Sequence, residues 1–401
     1  MNSNPNVPSN SHTSLATIAA LFFRLGATAF GGPAAHIAMM QNEVVRRRGW
    51  MTDEEFLDLI SACNLIPGPN STEMAIHIGH RQAGWPGLLV AGVCFILPAA
   101  VIVLGIAWVY VLYSHFPAVS HLMDGIKPVV IAIILQALVS LSKAALKTNF
   151  LKALCSILFG ACFFFKNELV LLLASGVISL LWTTQQTKES IGKPVHVFSV
   201  VGLLVLLGAG AILVGNNSEH VGSAPLATFS VDKLFWYFVK IGSVLYGSGY
   251  VLLAFLRSDL VEHWHWLTSA QLLDATAVGQ VTPGPVFTTA TFIGYVLGSF
   301  PGAILATVGI FLPAFFFVAV TSPFVRRLRE SKIAGATLSG VNTASLALMA
   351  FVTFELGRDS LNQPVFIVEA IIATFLLLKY NVNPTWLILA GALIGAIALR
   401  G

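Results

Sequence analysis

Apolar residues run in long blocks along this chain, separated by short polar links, as in helices that cross a bilayer. Leu15 to about Met40 is apolar but interrupted at Phe30-Gly31-Gly32-Pro33, and a polar stretch follows from Gln41 to Trp50. Thr52 before Asp53-Glu54-Glu55 is an N-cap with an acidic first turn, predicting a helix from there to Ile66. Pro67-Gly68-Pro69 must end it, because proline lacks the N–H and pushes the preceding residue out of the α region. A short helix from Ser71 to His80 is expected next, then a full span from Gly84 to Tyr113 with a kink at Pro98. Asp124 to Lys147, Phe150 to Phe165 and Glu168 to Thr183 are further helical segments. A polar link from Thr184 to Pro194, one more span from Val197 to Gly215 and a second polar link to Ser230 complete the first part.

From there the pattern begins again. Gly26 and Gly242, Gly31 and Gly247, Trp50 and Trp266, Thr52 and Thr268, Asp58 and Asp274, and Pro67 and Pro283 are each 216 positions apart. After a one-residue deletion the spacing is 215, as in Pro86 and Pro301, Leu97-Pro98-Ala99 and Leu312-Pro313-Ala314, and Gly125 and Gly340. Glycines, prolines and tryptophans held in register over this length indicate a tandem duplication. The expected organisation is a polar tail at 1–14, a first repeat at 15–183, a linker at 184–230 carrying the extra helix 197–215, and a second repeat at 231–401. Both repeats carry an interrupted helix at the same place, Pro67-Gly68-Pro69 and Pro283-Gly284-Pro285. Non-helical backbone at membrane depth persists only where protein or a water-filled cavity satisfies it. Matched breaks in two halves are the sequence pointer to a transporter's binding site.

Composition narrows the class. Of 401 residues 56% are apolar and 10% charged, against about a quarter charged in a soluble domain, and no Asp, Glu, Lys or Arg occurs between Gln82 and Met123. The predicted fold class is an all-α polytopic membrane protein made of two homologous inverted-topology repeats with broken or re-entrant helices. The first residues lack a basic region, so no cleavable signal is expected. Cys63, Cys94, Cys155 and Cys162 form no C-x-x-C pair and read as small buried hydrophobes. The basic residues lie at membrane edges rather than in one patch, which gives nucleic acid no footprint.

Charge placement predicts the orientation. Arg46-Arg47-Arg48 makes an early loop of the first repeat basic, while its later loop, Tyr113 to His121, is uncharged. In the second repeat the early loop holds Arg257 against Asp259 and Glu262, and the later one carries Arg326, Arg327, Arg329 and Lys332. Positive loops stay cytoplasmic, so the halves are expected to face opposite ways, and one additional crossing between them is what inversion requires.

Arg24 and Lys240, 216 positions apart, both lie inside apolar runs, where a charge costs at least about 2.5–3.5 kcal/mol. Two symmetry-related cations converging near the midplane would seat a dianion; snorkelling to an interface is the alternative. The half-helices after Pro69 and Pro285 aim unpaired N–H groups at the breaks, which favours anions. Asn70, Ser71 and Thr72, with Thr288 and Thr289, add neutral donors there, or else only cap their helices. Asn64 and Gln280 are a matched amide pair, as ligand donors or interhelical glue. Gly31, Gly32, Gly247 and Gly249 let backbone approach a ligand or a neighbouring helix, and Gly68 and Gly284 belong to the helix breaks. Glu73 has no carboxylate mate and is a candidate for proton coupling, with completion of the helix cap as the alternative. Glu73, His77 and His80 share a helix face, but His80-Arg81 reads as a membrane edge and no metal is expected. Lys127, matched by Asn342, reads as structural. No nucleotide, haem, flavin or zinc motif appears, so no cofactor and no enzymatic activity are expected.

At Phe30-Gly31-Gly32-Pro33, Arg48-Gly49-Trp50-Met51-Thr52, Pro67-Gly68-Pro69 and Phe95-Ile96-Leu97-Pro98 the chain resembles the chromate ion transporter family in its long, two-domain form. Tyr246-Gly247-Ser248-Gly249, Trp266-Leu267-Thr268, Pro283-Gly284-Pro285 and Phe311-Leu312-Pro313 repeat the plan, with Ser248 replacing the second glycine, so strict two-fold symmetry is not expected. The resemblance implies a secondary transporter exporting chromate across the bacterial inner membrane and conferring resistance. Sulfate, also a tetrahedral dianion, is the natural look-alike, and a sulfate or other oxyanion carrier is the alternative. The partners expected are the anion, the lipid bilayer and, as a candidate, a second copy of the chain.

Overall fold

The structure, a computed structural model, describes residues 13–30, 32–114, 116–165, 167–186, 229–246, 249–322 and 331–398. The extra span expected at 197–215, the glycines Gly31 and Gly247, and Arg326, Arg327 and Arg329 lie outside the described residues. Among the described residues the regular structure is entirely helical.

The first half contains α1 (Leu15–Thr28), α2 (Gly32–Gln41), a π-helical turn (Asn42–Arg47), α3 (Asp53–Cys63), α4 (Asn70–Tyr113), α5 (Pro117–Ala145), α6 (Asn149–Ala161) and α7 (Glu168–Gln186). The second half contains α8 (Val231–Val244), α9 (Leu252–Leu256), a π-helical turn (Arg257–His263), α10 (Ser269–Val281), a 3-10 turn (Val286–Thr288), α11 (Thr289–Thr321), α12 (Lys332–Ser360), α13 (Pro364–Tyr380) and α14 (Pro384–Ala398). Among these, α4, α5, α7, α11 and α12 contain stretches long and apolar enough to cross a bilayer. This is an all-α polytopic membrane protein.

Local chemistry sets the helix ends. Thr52 and Glu55 close a capping box at the start of α3, and Thr268 and Gln271 close the matching one at α10. Helix α3 stops at Cys63, one turn earlier than expected, because the two prolines disturb the residues before them as well as their own positions. The Trp50 N–H reaches Val44 O at 2.7 Å and the Trp266 N–H reaches Leu260 O at 2.8 Å, so both π-helical turns close in the same way.

Helix α4 is not one rod. Ala83 and Gly84 have non-helical dihedrals, with φ +61° at Gly84, and Gly298 and Ser299 repeat this in α11. A Cβ placed on Gly87 would collide with the Gly79 carbonyl, and one on Gly302 with the Gly294 carbonyl. In a straight helix residues eight apart lie about 12 Å from each other, so each long helix folds back on itself as a short arm and a spanning arm. The turn thus falls in the expected gap between the short helix ending at His80 and the span beginning at Gly84, while Pro98, where a kink was expected, keeps helical dihedrals. Pro98 costs the spanning arm a backbone bond, but the left-handed glycine is what turns the chain.

The short arm of α4 runs back beside α3. The Arg81 guanidinium at its end pairs with Glu55 at the start of α3, and Gln82 donates to Trp50 O at 3.3 Å and accepts from Thr13 at 2.8 Å. Thr13, Trp50, Glu55 and Gln82 thus share one face, where the α1–α2 and α3–α4 hairpins both begin and end. In the second half Phe229 sits edge-on to Trp266 and packs against Gly298, the corresponding positions. Ser322 at the end of α11 meets His80 of the first face at 3.0 Å, and Tyr110 near the end of α4 donates to Asp274 midway along α10, the second half's entry hairpin, at 2.8 Å. The end of each half's long helix thus lies at the other half's entry face.

The remaining helices are exchanged between the halves. Helix α5 packs on α14 with Gly125 against Gly391 and Gly395, and α12 packs on α7 with Gly340 against Ser175. Ser175 and Ser179 donate to the carbonyls of Gly340 and Ala336 at 3.0 and 2.8 Å. The largest buried cluster accordingly draws on both halves. Outward, Trp85, Leu89, Val93, Leu97 and Val101 form an exposed stripe along α4, matched on α11 by Phe300, Ile304, Val308, Leu312 and Phe316. Such stripes suit a surface whose solvent is hydrocarbon. Arg257, buried, ties the start of α10 to the end of α12 through Glu355 at 3.0 Å and Asp359 at 2.9 Å, with Glu262 at 3.0 Å.

Two predictions follow from these contacts. Gly79→Ala and Gly294→Ala drive a Cβ into backbone and should each cost about 1–3 kcal/mol, lowering the melting midpoint in detergent, while Gly105→Ala, which meets open space, should not lower it. Arg257→Gln leaves clustered carboxylates without their cation and should destabilise by about 3–5 kcal/mol, well beyond the loss from Glu262→Gln, in the same thermal assay.

Candidate functional site

The helix breaks meet. A small cavity is lined by Pro33 from the first break, by Gly68, Pro69, Asn70 and Ser71 from the Pro-Gly-Pro of the first half, and by Gly249, Pro285, Val286 and Phe287 from the second. Its backbone is held by two reciprocal hydrogen bonds. Gly68 N–H donates to Leu245 O at the end of α8 at 2.8 Å, and Gly284 N–H donates to Ala29 O at the end of α1 at 2.9 Å. Gly68 has φ +134° and Gly284 φ +89°, a region that favours glycine. Each break is therefore satisfied by the end of the other half's first helix. His36 Nε2 also lies 3.0 Å from Ala29 O.

At the cavity two helical starts lack side-chain caps. Pro69 and Pro285 occupy the cap positions of α4 and of the 3-10 turn before α11, and neither side chain accepts from the first turn. The Asn70 side chain donates to Asn64 Oδ1 at 2.7 Å, so this amide pair spans the break as a brace with Asn70 at the cavity wall. Ser71 lines the same wall, and the buried Thr72 hydroxyl has no protein partner among the described residues. Glu73 is wholly buried with both oxygens unpartnered among the described residues, and Oε1 packs directly on Gly68, where any Cβ would strike it.

Several expected roles change. The Thr288 hydroxyl donates to Pro285 O at 2.9 Å and that of Thr289 to Val286 O at 2.8 Å, so both protons are committed to the local backbone. Gln280 accepts from Tyr250 at 3.0 Å, one turn before the break. Neither Arg24 nor Lys240 lines the cavity. Arg24 reaches Glu43 at 2.8 Å with its side chain 49% exposed, and Lys240 lies 3.7 Å from Asp259. Each cation sits beside an acid, and Glu43 is shared by Arg24 with Arg47 and Arg48. Burial acts to raise the Glu43 carboxyl, but hydrogen bonds from Arg47 and Arg24 outweigh it and hold the group below its ordinary value. At Asp259 burial prevails over Lys240 and the carboxyl is raised. The signal for these pairs was available, since Glu43 and Asp259 are also 216 apart. Tyr250, the partner of Gln280, carried no signal in the sequence, because an aromatic residue beside a break looks like ordinary core. Among the described residues no group of three or more His, Cys, Asp or Glu is arranged to hold a metal ion.

The wall is mostly proline, glycine, valine and phenylalanine, with the Asn70 amide and the Ser71 hydroxyl as its polar side chains and the buried Glu73 carboxyl behind Gly68. Such neutral donors suit an oxyanion. A family model described as "Chromate transporter" matches residues 16–180 and 233–396, one stretch in each half. The chromate transport protein of Cupriavidus metallidurans is 29% identical, over 94% of this chain and 91% of its own length. The probable chromate transport protein of Synechococcus elongatus is 29% identical over 96% and 95%, and the chromate transport protein of Pseudomonas aeruginosa is 28% identical over 94% and 90%. No solved structure matches the chain. With both halves matched, and with the paired breaks and exchanged helices in place, the chain belongs to the chromate transporter family.

Proposed function

We propose that this protein is a secondary transporter that exports chromate across the bacterial inner membrane and so confers resistance. The observation that carries the reading is the meeting of two uncapped helical starts, one from each half, on a single cavity with Asn70 and Ser71 in its wall. Their N-terminal N–H groups offer a dianion fixed donors and the positive ends of two helices without a desolvated cation. The inverted arrangement supplies the alternation: two related bundles, opposite in orientation, expose one midplane site to either face in turn. The contacts of Ser322 with His80 and of Tyr110 with Asp274 support that orientation, because they bring the end of one half to the beginning of the other.

Export follows from electrostatics. With a cytoplasm at negative potential, a dianion gains roughly 4.6 kcal/mol per 100 mV on leaving, so the membrane voltage alone drives it outward. Arg24 and Lys240 act here as paired supports of the hairpins that bear the breaks, rather than as ligands. Neutral donors on a small cavity read shape and charge more than element identity, which makes sulfate the relevant competitor.

Chromate flux into everted vesicles, and into proteoliposomes under an imposed voltage, tests the reading; flux that ignores voltage, or that sulfate abolishes at equal concentration, would overturn chromate export. Replacing Asn70 by Leu or Ser71 by Val should weaken chromate binding by roughly ten- to a hundredfold, the loss of one hydrogen bond to a charged group, with the protein still monodisperse in detergent. Lys240→Gln should depress flux, and adding Asp259→Asn should restore most of it; a double variant as inactive as the single one would instead make Lys240 a ligand.

A further inference from the structure

Glu73 lies in the first turn of α4, and its side chain runs back past the helix start to the break, where Oε1 occupies the space that a side chain at Gly68 would take. The residue is 0% exposed, and neither carboxyl oxygen has a protein partner among the described residues. The adjacent Thr72 hydroxyl is equally buried and equally unpartnered. Buried polar atoms are normally satisfied, so two neighbouring side chains left over at one break call for a function. The titratable groups facing Glu73 from other elements are the Cys63 thiol of α3 and the Tyr246 phenol beyond α8, both of types that are neutral at ordinary pH. His77, one turn along the same helix, makes no hydrogen bond to it. With no cation and no donor at hand, an ionised carboxylate would be a bare desolvated charge, so the group is held as the neutral acid. A neutral carboxyl carries one O–H donor, and here that donor is unused.

The cavity has a volume of about 10 Å³, room for one water, so it must widen to seat a tetrahedral anion. Much of its wall is rings and a branched side chain, from Pro33, Pro69, Pro285, Val286 and Phe287, but at Gly68 the wall is backbone alone. Widening there joins the cavity to Thr72 and Glu73. The second half offers no equivalent, because the hydroxyls of Thr288 and Thr289, 215 and 216 positions on from Glu73, are committed to Pro285 O and Val286 O.

We propose that the protonated Glu73 carboxyl is a ligand of the transported oxyanion, donating its O–H to an anion oxygen, with the Thr72 hydroxyl as a second donor. The inference rests on the transport reading above and names two further ligands of its site. The acid keeps its proton in the empty and the occupied cavity, so nothing is transferred and no charge changes. A hydrogen bond from a carboxylic O–H to an anionic oxygen is among the shorter and stronger ones, and an apolar setting that keeps a carboxyl neutral is what makes it a donor. Unlike an arginine or a lysine, the acid brings no charge of its own. It therefore recognises an unprotonated anion oxygen without forming an ion pair that has to be broken on release.

The test is chromate binding to the purified full chain by calorimetry, with infrared spectra of the same protein, at a pH above chromate's own protonation. Glu73→Leu, which removes the donor, should weaken binding by roughly ten- to a hundredfold, and Glu73→Gln, which keeps a neutral donor, should stay within about threefold of the wild type. Wild-type affinity in Glu73→Leu, or a folded Glu73→Gln as weak as Glu73→Leu, would overturn the ligand role and leave the transport reading standing. In the infrared the wild type should show a carboxylic-acid C=O stretch that moves to lower frequency when chromate binds and that Glu73→Gln lacks. A carboxylate in its place, or acid bands that chromate leaves unmoved, would equally overturn the role. The shift is read on the wild type alone, so a variant that fails to fold leaves the test intact. Absence of chromate binding by the wild type would remove both readings.

Discussion

Two reciprocal backbone bonds hold the centre of this protein. The amides of Gly68 and Gly284 are freed by the prolines around them, and each is taken up by a carbonyl at the end of the opposite half's first helix, Leu245 and Ala29. In hydrocarbon an unmet amide costs several kcal/mol, so neither interrupted helix is tenable without the other half. The breaks, the cavity between them and the juxtaposition of the two helical starts all follow from that exchange. At the breaks irregular backbone is both required by sequence and satisfied by protein, which is where we propose the ligand site.

What was legible in the sequence was local. Prolines, left-handed glycines and Thr-capped acidic turns act on the residue or two around them, so the breaks at Pro67 and Pro283 and the start of α3 could be read directly. The duplication was legible because those residues recur in register. The turn at Gly84 was legible as a gap between a short helix and the span after it, but that the glycine's left-handed conformation reverses the chain there was not. The partners of Arg24 and Lys240 were in register too, but charge pairing across a hairpin depends on how the hairpin closes. The fate of the Thr288 and Thr289 hydroxyls depends on a short 3-10 turn that no spacing announces. Exchange of α5 and α12 between the halves was not legible at all, because one apolar run resembles another and only long-range packing distinguishes them.

Duplication did not leave equal halves. The entry face of the first repeat is held by Arg81 with Glu55 and by Gln82, whereas that of the second rests on rings, Phe229 on Trp266, and on the buried Arg257 among carboxylates. The carboxyl at the cavity comes from one repeat alone. A symmetric frame thus carries an asymmetric site, which is what a carrier needs if its two faces are to respond differently to the solutions they meet.

The exchanged helices redraw the lines along which the molecule can move. Helices α5 and α14 meet glycine to glycine, and α12 meets α7 with Gly340 against Ser175, so neither repeat can swing as a body against the other without tearing those seams. The natural parting instead runs between two mixed assemblies. One is built of α1 to α4 with α8 to α11 and carries the breaks; the other is built of α5 to α7 with α12 to α14. Each contains segments from both ancestral copies, so gene duplication and mechanical division cut this chain in different directions.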